Sequence, residues 1–306
     1  MGIVVIGATF VDIKGFPKDT YLPTGRNVGR IDYIHGGVAR NLVEDIANVE
    51  LRPTFVSIVD DSPLGADVLQ KLINHKVNVD YVQTIPDGMG TWLAVFDNNG
   101  DVAGSISKRP NMLPVLDLLE EKGDQIIGNA DSVVIEVDID KEIVKAVLNL
   151  CEKHGKQVFG LVSNMSIAAQ RRDLLRRYSC FICNQLEAGQ LFMDDYSALT
   201  PEQMRDVLAD KLPKAEIASM VVTMGAQGAV YADLQGNKGV CPARKVQVKD
   251  TTGAGDAFCA GVAIGLTYGK RLPEAIDIGS TLAASVIISS ENVCPRFQPA
   301  EFGIQI

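Results

Sequence analysis

Short apolar, β-branched runs alternate with longer segments of helical period along most of the chain. The predicted strands are Ile3–Ile6, Thr54–Val59, Ser132–Val137, Gln157–Val162, Ser179–Cys183 and Met220–Thr223. The predicted helices include Ala39–Val49, Gly65–His75, Lys141–His154, Pro201–Leu212 and Gly255–Tyr268. This order predicts a doubly wound α/β fold, with a mainly parallel sheet and helices on both faces.

Two segments, at about 12–34 and 91–107, do not follow this alternation of strands and helices. The first is rich in Gly, Pro and Thr, and the second has two alternating runs around a polar hairpin turn at 97–101. We expect them to form a small β lid on a single α/β domain that spans residues 1–306, where it would exclude water from a crevice. Lid strands with exposed edges favour pairing between copies, so a homodimer through the lid is expected.

The composition indicates a globular protein with an acidic surface. Hydrophobic residues make up 46% and charged residues 22% of the chain, and the net charge is −9. This charge argues against a nucleic-acid partner, which needs a basic surface. The sequence has no apolar run long enough to span a membrane, and Met1 through Ala8 lack the features of a secretory signal. We therefore expect a cytoplasmic protein without a membrane partner.

The segment 250–258 carries the most specific chemistry. Gly253 and Gly255 remove side chains where the backbone enters a helix, so the first N–H groups are free to bind an anion. Asp256 lies in the first helical turn, where a carboxylate can take a proton from an attacking hydroxyl. The alternative is a plain turn in which Asp256 only caps the helix.

This segment resembles the C-terminal motif of the ribokinase-like, or PfkB, carbohydrate kinases, Asp-Thr-x-Gly-Ala-Gly-Asp-x-Phe, which residues 250–258 reproduce in full. The resemblance implies the ribokinase-like fold and ATP-dependent phosphoryl transfer with Mg²⁺. It also implies that Asp256 is the catalytic base and that Gly253, Ala254 and Gly255 form the anion hole.

Other motifs of the same family occur along the chain, and the resemblance assigns them binding roles. It implies substrate contacts from Asp12, Gly36, Gly37, Arg40 and Asn41, and nucleotide contacts from Asn184, Glu187, Thr223, Gly225 and Gly228. Glu187 is expected to hold Mg²⁺, in part through water. Asp250 and Thr252 resemble the lining of a K⁺ site that varies within the family.

The acceptor is less well defined than the reaction. The run Gly-Gly-Val-Ala-Arg-Asn at 36–41 resembles that of pseudouridine kinases, which implies transfer to the 5′-hydroxyl of pseudouridine. The alternatives are a free-sugar kinase of the ribokinase or fructokinase type, or a non-catalytic sugar or nucleotide sensor on the same fold. Lys108 and Arg109 depart from the subgroup pattern, and they either meet an anionic acceptor or are solvated lid charges.

Overall fold

The computed structural model describes residues 2–305 as two sheets and the helices that pack on them. The strands are β1 (Ile3–Ile6), β2 (Phe10–Pro17), β3 (Gly29–Gly36), β4 (Thr54–Val59), β5 (Asn78–Thr84), β6 (Gly90–Phe96), β7 (Val102–Lys108), β8 (Ser132–Glu136), β9 (Gln157–Leu161), β10 (Cys180–Asn184), β11 (Ser219–Thr223), β12 (Ala229–Asp233) and β13 (Lys238–Cys241). The helices are α1 (Val38–Asn48), α2 (Pro63–Asn74), α3 (Leu113–Gly128), α4 (Lys141–His154), α5 (Met165–Ala168), α6 (Arg172–Leu175), α7 (Gln185–Phe192), α8 (Pro201–Ala215), α9 (Ala254–Thr267) and α10 (Leu272–Ile287).

The large sheet has nine strands in the order β13-β12-β11-β10-β9-β8-β1-β4-β5. Its strands are parallel from β11 to β5, while β12 and β13 are antiparallel. The chain runs from β1 towards β5 and later from β8 towards β13, so the strand order reverses between β1 and β8. Ligands of open α/β sheets bind at the carboxyl ends of the strands beside such a reversal.

Helices cover both faces of this sheet, as the alternation of elements predicts. Helices α3, α4, α7 and α8 pack on one face, and α1, α2, α9 and α10 pack on the other. Helix α9 lies very close to α10, since a Cβ on Gly261 would be 2.5 Å from the Cα of Gly279. This close contact helps to position α9. The helices on both faces of the sheet confirm the predicted doubly wound α/β architecture.

The two segments predicted as a lid contribute to a separate four-stranded sheet with the order β3-β2-β6-β7. Its strands extend one or two residues beyond the predicted limits. Phe10 and Asp12 lie on one face of β2 because side chains two residues apart point the same way. The strand register places Tyr33 and Leu93 on the opposite, outer face.

None of the helices within residues 2–305 is both long and apolar enough to cross a bilayer.

Candidate active site

Helix α9 begins with a backbone that only glycine fits. Gly253 has a φ of 81°, and a Cβ there would lie 2.0 Å from the carbonyl oxygen of Asn292. A Cβ on Gly255 would meet no atom within 4 Å, so this side of the turn opens into free space. Within residues 2–305, no side chain caps the start of α9. The amide of Ala254 donates to the carbonyl oxygen of Thr251 at 3.2 Å, so the amide of Gly255 is the first that is available to a negatively charged ligand.

Asp256 stands at this helix start, half-buried and beside a second polar side chain. Its Oδ2 accepts a hydrogen bond of 2.7 Å from Nδ2 of Asn41. The pKa of Asp256 is raised to about 7, mainly by burial and in smaller part by the carboxylates of Asp12 and Glu187, while Asn41 and the charge of Arg40 oppose the rise. A carboxyl that titrates near neutral pH suits a general base in this pH range.

The orientation of the Asn41 amide is fixed by two donors on its oxygen side. Arg40 donates to Oδ1 of Asn41, and Nδ2 of Asn292 lies 3.2 Å from the same oxygen. A guanidinium can only donate, so the Asn41 oxygen must face Arg40 and its NH₂ group must face Asp256. Arg40 is held in turn by Glu44, at 2.6 Å from Nη1 to Oε2. Sequence reasoning missed Asn292 and Glu44, which belong to no motif.

The paired glycines before α1 bring this helix close to the first strands. Gly37 has a φ of 93°, and a Cβ there would lie 2.8 Å from the carbonyl oxygen of Ala8. A Cβ on Gly36 would lie 2.7 Å from Oδ1 of Asp12. The Asp12 carboxyl therefore lies directly against this turn, and burial raises its pKa. Asn41 contacts Asp256 directly, and the Asp12 carboxylate is near enough to raise the pKa of Asp256, so these three polar side chains form one cluster.

A cavity of about 220 Å³ lies on the other side of the α9 start. It is lined by Thr223, Gly225, Gly228, Gly255 and residues of α10, among others. Gly228 has a φ of 96°, and a Cβ there would lie 2.1 Å from the carbonyl oxygen of Cys241, so the loop after β11 requires this glycine. The helix start thus lies between the polar cluster of Asp12, Asn41 and Asp256 and a mainly apolar cavity, an arrangement suited to transfer between two ligands.

The family model for pfkB family carbohydrate kinases matches residues 2–295. The chain belongs to this family. It is 37% identical to a guanosine-inosine kinase of Exiguobacterium acetylicum, over 95% of each chain, and 26% identical to a pseudouridine kinase of Escherichia coli, over 90% of this chain and 86% of the other. The structure of Arabidopsis thaliana ribokinase complexed with ribose and ATP superposes with a TM-score of 0.83, at 19% identity, over 98% of this chain and 97% of that one. The protein is therefore a phosphotransferase that acts on a hydroxyl group, with a ribokinase-like fold.

In this pfkB-family kinase, Asn184 and Glu187 cap the start of α7 reciprocally. Oε2 of Glu187 accepts from the amide of Asn184 at 2.7 Å, and Oδ1 of Asn184 accepts from the amide of Glu187 at 2.9 Å. Burial raises the pKa of Glu187, and the carboxylate of Asp138 adds to this effect. Within residues 2–305, no group of three or more acidic, His or Cys side chains could hold a metal ion by itself. A Mg²⁺ ion here would take one carboxylate from the protein and its other ligands from phosphate and water, which suits this ion.

Asp250 and Thr252 lie near the same helix start but face a different cavity, of about 390 Å³. Oδ1 of Asp250 accepts from the amide of Thr252 at 2.8 Å, and this bond lowers the pKa of Asp250. Asn292 lines the same cavity, so the two residues stand beside the group that orients Asn41. Their role as a cation site stays a prediction.

Arg40 differs from the other candidate substrate residues because its side chain is fully buried. Besides Glu44 and Asn41, its guanidinium donates to the carbonyl oxygens of Gly36 and His35. These contacts enclose the guanidinium and leave the residue with no exposed surface, so the geometry favours an indirect action of Arg40 through Asn41. A direct contact between Arg40 and the substrate remains a prediction.

Proposed function

We propose that this kinase transfers the γ-phosphate of ATP to the 5′-hydroxyl of a ribonucleoside, with Asp256 as the general base. The observation that carries the proposal is the Asp256 carboxylate, held by Asn41 at 2.7 Å, at a helix start that no side chain caps within residues 2–305. The acceptor hydroxyl would lose its proton to Asp256 as its oxygen bonds to the γ-phosphorus and the bond to ADP breaks. The amides of Gly253, Ala254 and Gly255 would stabilise the charge on the transferring group.

The acceptor proposal rests on the relatives and on one motif. Similarity to the guanosine-inosine kinase is greater than to the pseudouridine kinase, at 37% against 26% identity. We therefore put purine ribonucleosides first. Pseudouridine, the acceptor expected from the run at 36–41, is the second candidate, and both are ribosides with the same 5′-hydroxyl.

The proposal includes the ions that accompany ATP. Bound Mg²⁺ neutralises phosphate charge, and Glu187 is the protein carboxylate that would hold it. Burial of this carboxyl and its place in the first turn of α7, directly after β10, support that role. K⁺ at Asp250 and Thr252 is proposed on the family resemblance and on their exposed oxygen atoms.

The exposed outer face of the small sheet supports the proposal of a homodimer. Tyr33, Leu93 and Ile106 lie in register on this face with exposures of 58%, 42% and 70%. A second copy would cover these apolar side chains from water, as isologous dimers do. We propose the cytoplasm as the location, because the substrates ATP and nucleosides belong there.

Replacing Asp256 with Asn tests the mechanism. The amide keeps the shape of the side chain but cannot take a proton, so kcat should fall by about 100- to 10,000-fold. Affinity for ATP, measured with a fluorescent analogue, should stay within about two-fold, because the anion hole is backbone. Asp173→Asn, at an exposed position on α6, is the matched control and should leave kcat unchanged.

Wild-type turnover in Asp256→Asn would refute the assignment. Tight binding of nucleoside and ATP by the wild-type protein, without ADP release for any acceptor, would instead favour a non-catalytic sensor. A panel of nucleosides and free sugars, followed by ADP release, separates a nucleoside kinase from a free-sugar kinase.

A further inference from the structure

A cavity of about 260 Å³ lies at the point where the strand order reverses, between the carboxyl ends of β1 and β8. Ala8 and Phe10 line it from the first strands, and Glu136 and Asp138 line it from the end of β8. Pockets for complete drug-sized ligands are about 300–1,000 Å³. This cavity therefore fits one part of a ligand, such as a nucleobase.

The cavity lies beside the polar cluster that contains Asp256, the proposed general base. Phe10 and Asp12 point to the same face of β2, about 7 Å apart along the strand. The backbone at Ala8 and Phe10 also contacts the Gly37 turn at the start of α1. A riboside with its sugar at Asp12 and its 5′-hydroxyl at Asp256 would therefore place its base beside the Phe10 ring.

The polar lining of the cavity is built around a buried carboxylate. Asp138 accepts from the amide and the hydroxyl of Ser163, at 2.9 and 2.7 Å, and from Nη2 of Arg109 at 2.8 Å. Arg109 also donates to the carbonyl oxygen of Asp138 at 3.1 Å. These contacts hold the guanidinium at the cavity, although its side chain is 43% exposed. Two of its five N–H groups are used, so the others remain free to donate to a ligand.

This position explains Arg109 better than either role considered from the sequence. Lys108 is paired with Asp87 on the surface and does not line the cavity. Arg109 instead pairs with a carboxylate that is 2% exposed, so it is not a free lid charge. Because Asp138 already neutralises it, an anionic acceptor would gain little, whereas a neutral carbonyl oxygen still matches its donors.

We propose that this cavity is the base subsite and that Arg109 selects bases with a carbonyl at purine position 6 or at the pyrimidine position opposite the glycosidic bond. The proposal rests on the proposed nucleoside kinase function and identifies its substrate class. Hypoxanthine and guanine present O6 as an acceptor for the guanidinium. Pseudouridine is joined to ribose through C5, so it presents O2 in the equivalent position, opposite the glycosidic bond. Adenine and cytosine present an amino group there, so donor would face donor. Phe10 supplies an aromatic ring on which the base can stack.

The subsite would accommodate the acceptors of both curated relatives described above. Guanosine, inosine and pseudouridine share the carbonyl that Arg109 is proposed to bind, although their rings differ in size. Adenosine is the amino counterpart of inosine, and cytidine is the amino counterpart of uridine. Comparison of inosine with adenosine, and of uridine with cytidine, therefore isolates the proposed contact, and ribose reports turnover without any base.

The test measures kcat/KM with these five acceptors for the wild-type protein, Arg109→Met and Arg109→Lys. The wild type should favour inosine over adenosine by at least about 10-fold, and Arg109→Met should lower kcat/KM for inosine by about 10- to 100-fold. Adenosine, ribose and the KM for ATP should change by less than about three-fold. Arg109→Lys keeps the charge beside Asp138 but loses the fork, so it should fold normally and lose part of the preference. Lys108→Met is the matched control and should retain the wild-type preference.

The possible failures can be told apart. Equal use of inosine and adenosine by the wild type, or an equal loss for all acceptors in Arg109→Met, would overturn the base subsite and leave the kinase proposal intact. The same holds if ribose is as good an acceptor as inosine. If no acceptor is phosphorylated, the kinase proposal fails. The subsite can then be tested by calorimetry. The ratio of inosine affinity to adenosine affinity should be high in the wild type and lower in Arg109→Lys, and an equal ratio in the two proteins would overturn the subsite.

Discussion

The contact between Asn41 and Asp256 allows a direct test of what sets the pKa of Asp256, the proposed general base. Replacing Asn41 with Asp changes one nitrogen to oxygen and keeps the shape of the side chain. Arg40 and Asn292 would still donate to one oxygen of the new carboxyl. The other oxygen would then face Oδ2 of Asp256 at about the present 2.7 Å. Two carboxyls at this distance share one proton, as paired acids do in other active sites.

The expected shift follows from two energies. Loss of the amide hydrogen bond to a charged group is worth about 1.5–3 kcal/mol, or about 1–2 pKa units. A like charge about 4 Å away in a partly buried site adds about 4 kcal/mol at an effective dielectric of 20, or about three more units. Arg40 stabilises the new carboxylate, so the proton should reside on Asp256. The pKa of Asp256, about 7 in the unmodified protein, should therefore rise by two units or more.

The assay is the pH dependence of kcat/KM, which reports the free enzyme. Asp256 must be ionised to accept a proton, so activity falls as pH drops through its pKa. The acid limb should lie near pH 7 in the wild type, about one unit higher in Asn41→Ala, and above about pH 9 in Asn41→Asp. Asn149→Asp, at an exposed position that contacts Arg177, is the control and should leave the limb in place. An unmoved limb in an active Asn41→Asp enzyme would show that Asp256 is not the titrating base.

Two further predictions concern the helix start and the small sheet. Gly253→Ala should lower the Tm by about 3–10 °C, because its Cβ would meet the Asn292 carbonyl at a positive φ. Gly255→Ala should keep the wild-type Tm but lose most of its kcat, because its Cβ would fill the space for the phosphoryl group. Thermal shift and turnover assays compare the two, and a stable, active Gly253→Ala would contradict the argument. Ile106→Lys should convert the proposed dimer into a monomer in light scattering, while Leu234→Lys at another exposed site should not. A monomeric wild type would refute the dimer.

The large sheet could be predicted because parallel strands buried on both faces are apolar along their whole length. All six predicted strands and five predicted helices are present, with ends shifted by up to three residues. The largest shift is in α8, which continues past Leu212 to Ala215 although Pro213 follows. Local preference ends a helix before proline, but packing of buried Leu208 and Leu212 overrides it.

The site could be predicted where a motif in the sequence contains its residues, as it does for Asp256, Asn41 and the glycines at the start of α9. Gly253 can be recognised in the sequence because its backbone geometry admits only glycine, and Gly255 because a side chain there would fill the space left for a ligand. The roles of Asn292 and Asp138 could not be predicted from the sequence, because an amide or carboxylate in a loop acquires its role from partners that are distant in the chain. The contact between Arg109 and Asp138 likewise exists only after the end of β7 has met the end of β8.

The hydrogen bonds around Asn41 join parts of the chain that are 215 and 251 residues apart. Such remote contacts form late in folding, because a long loop must close before they are made. A chain emerging from the ribosome would therefore complete its central sheet before its proton acceptor is in place. The enzyme should gain activity in one final step, when the segment after α10 docks against the first helix.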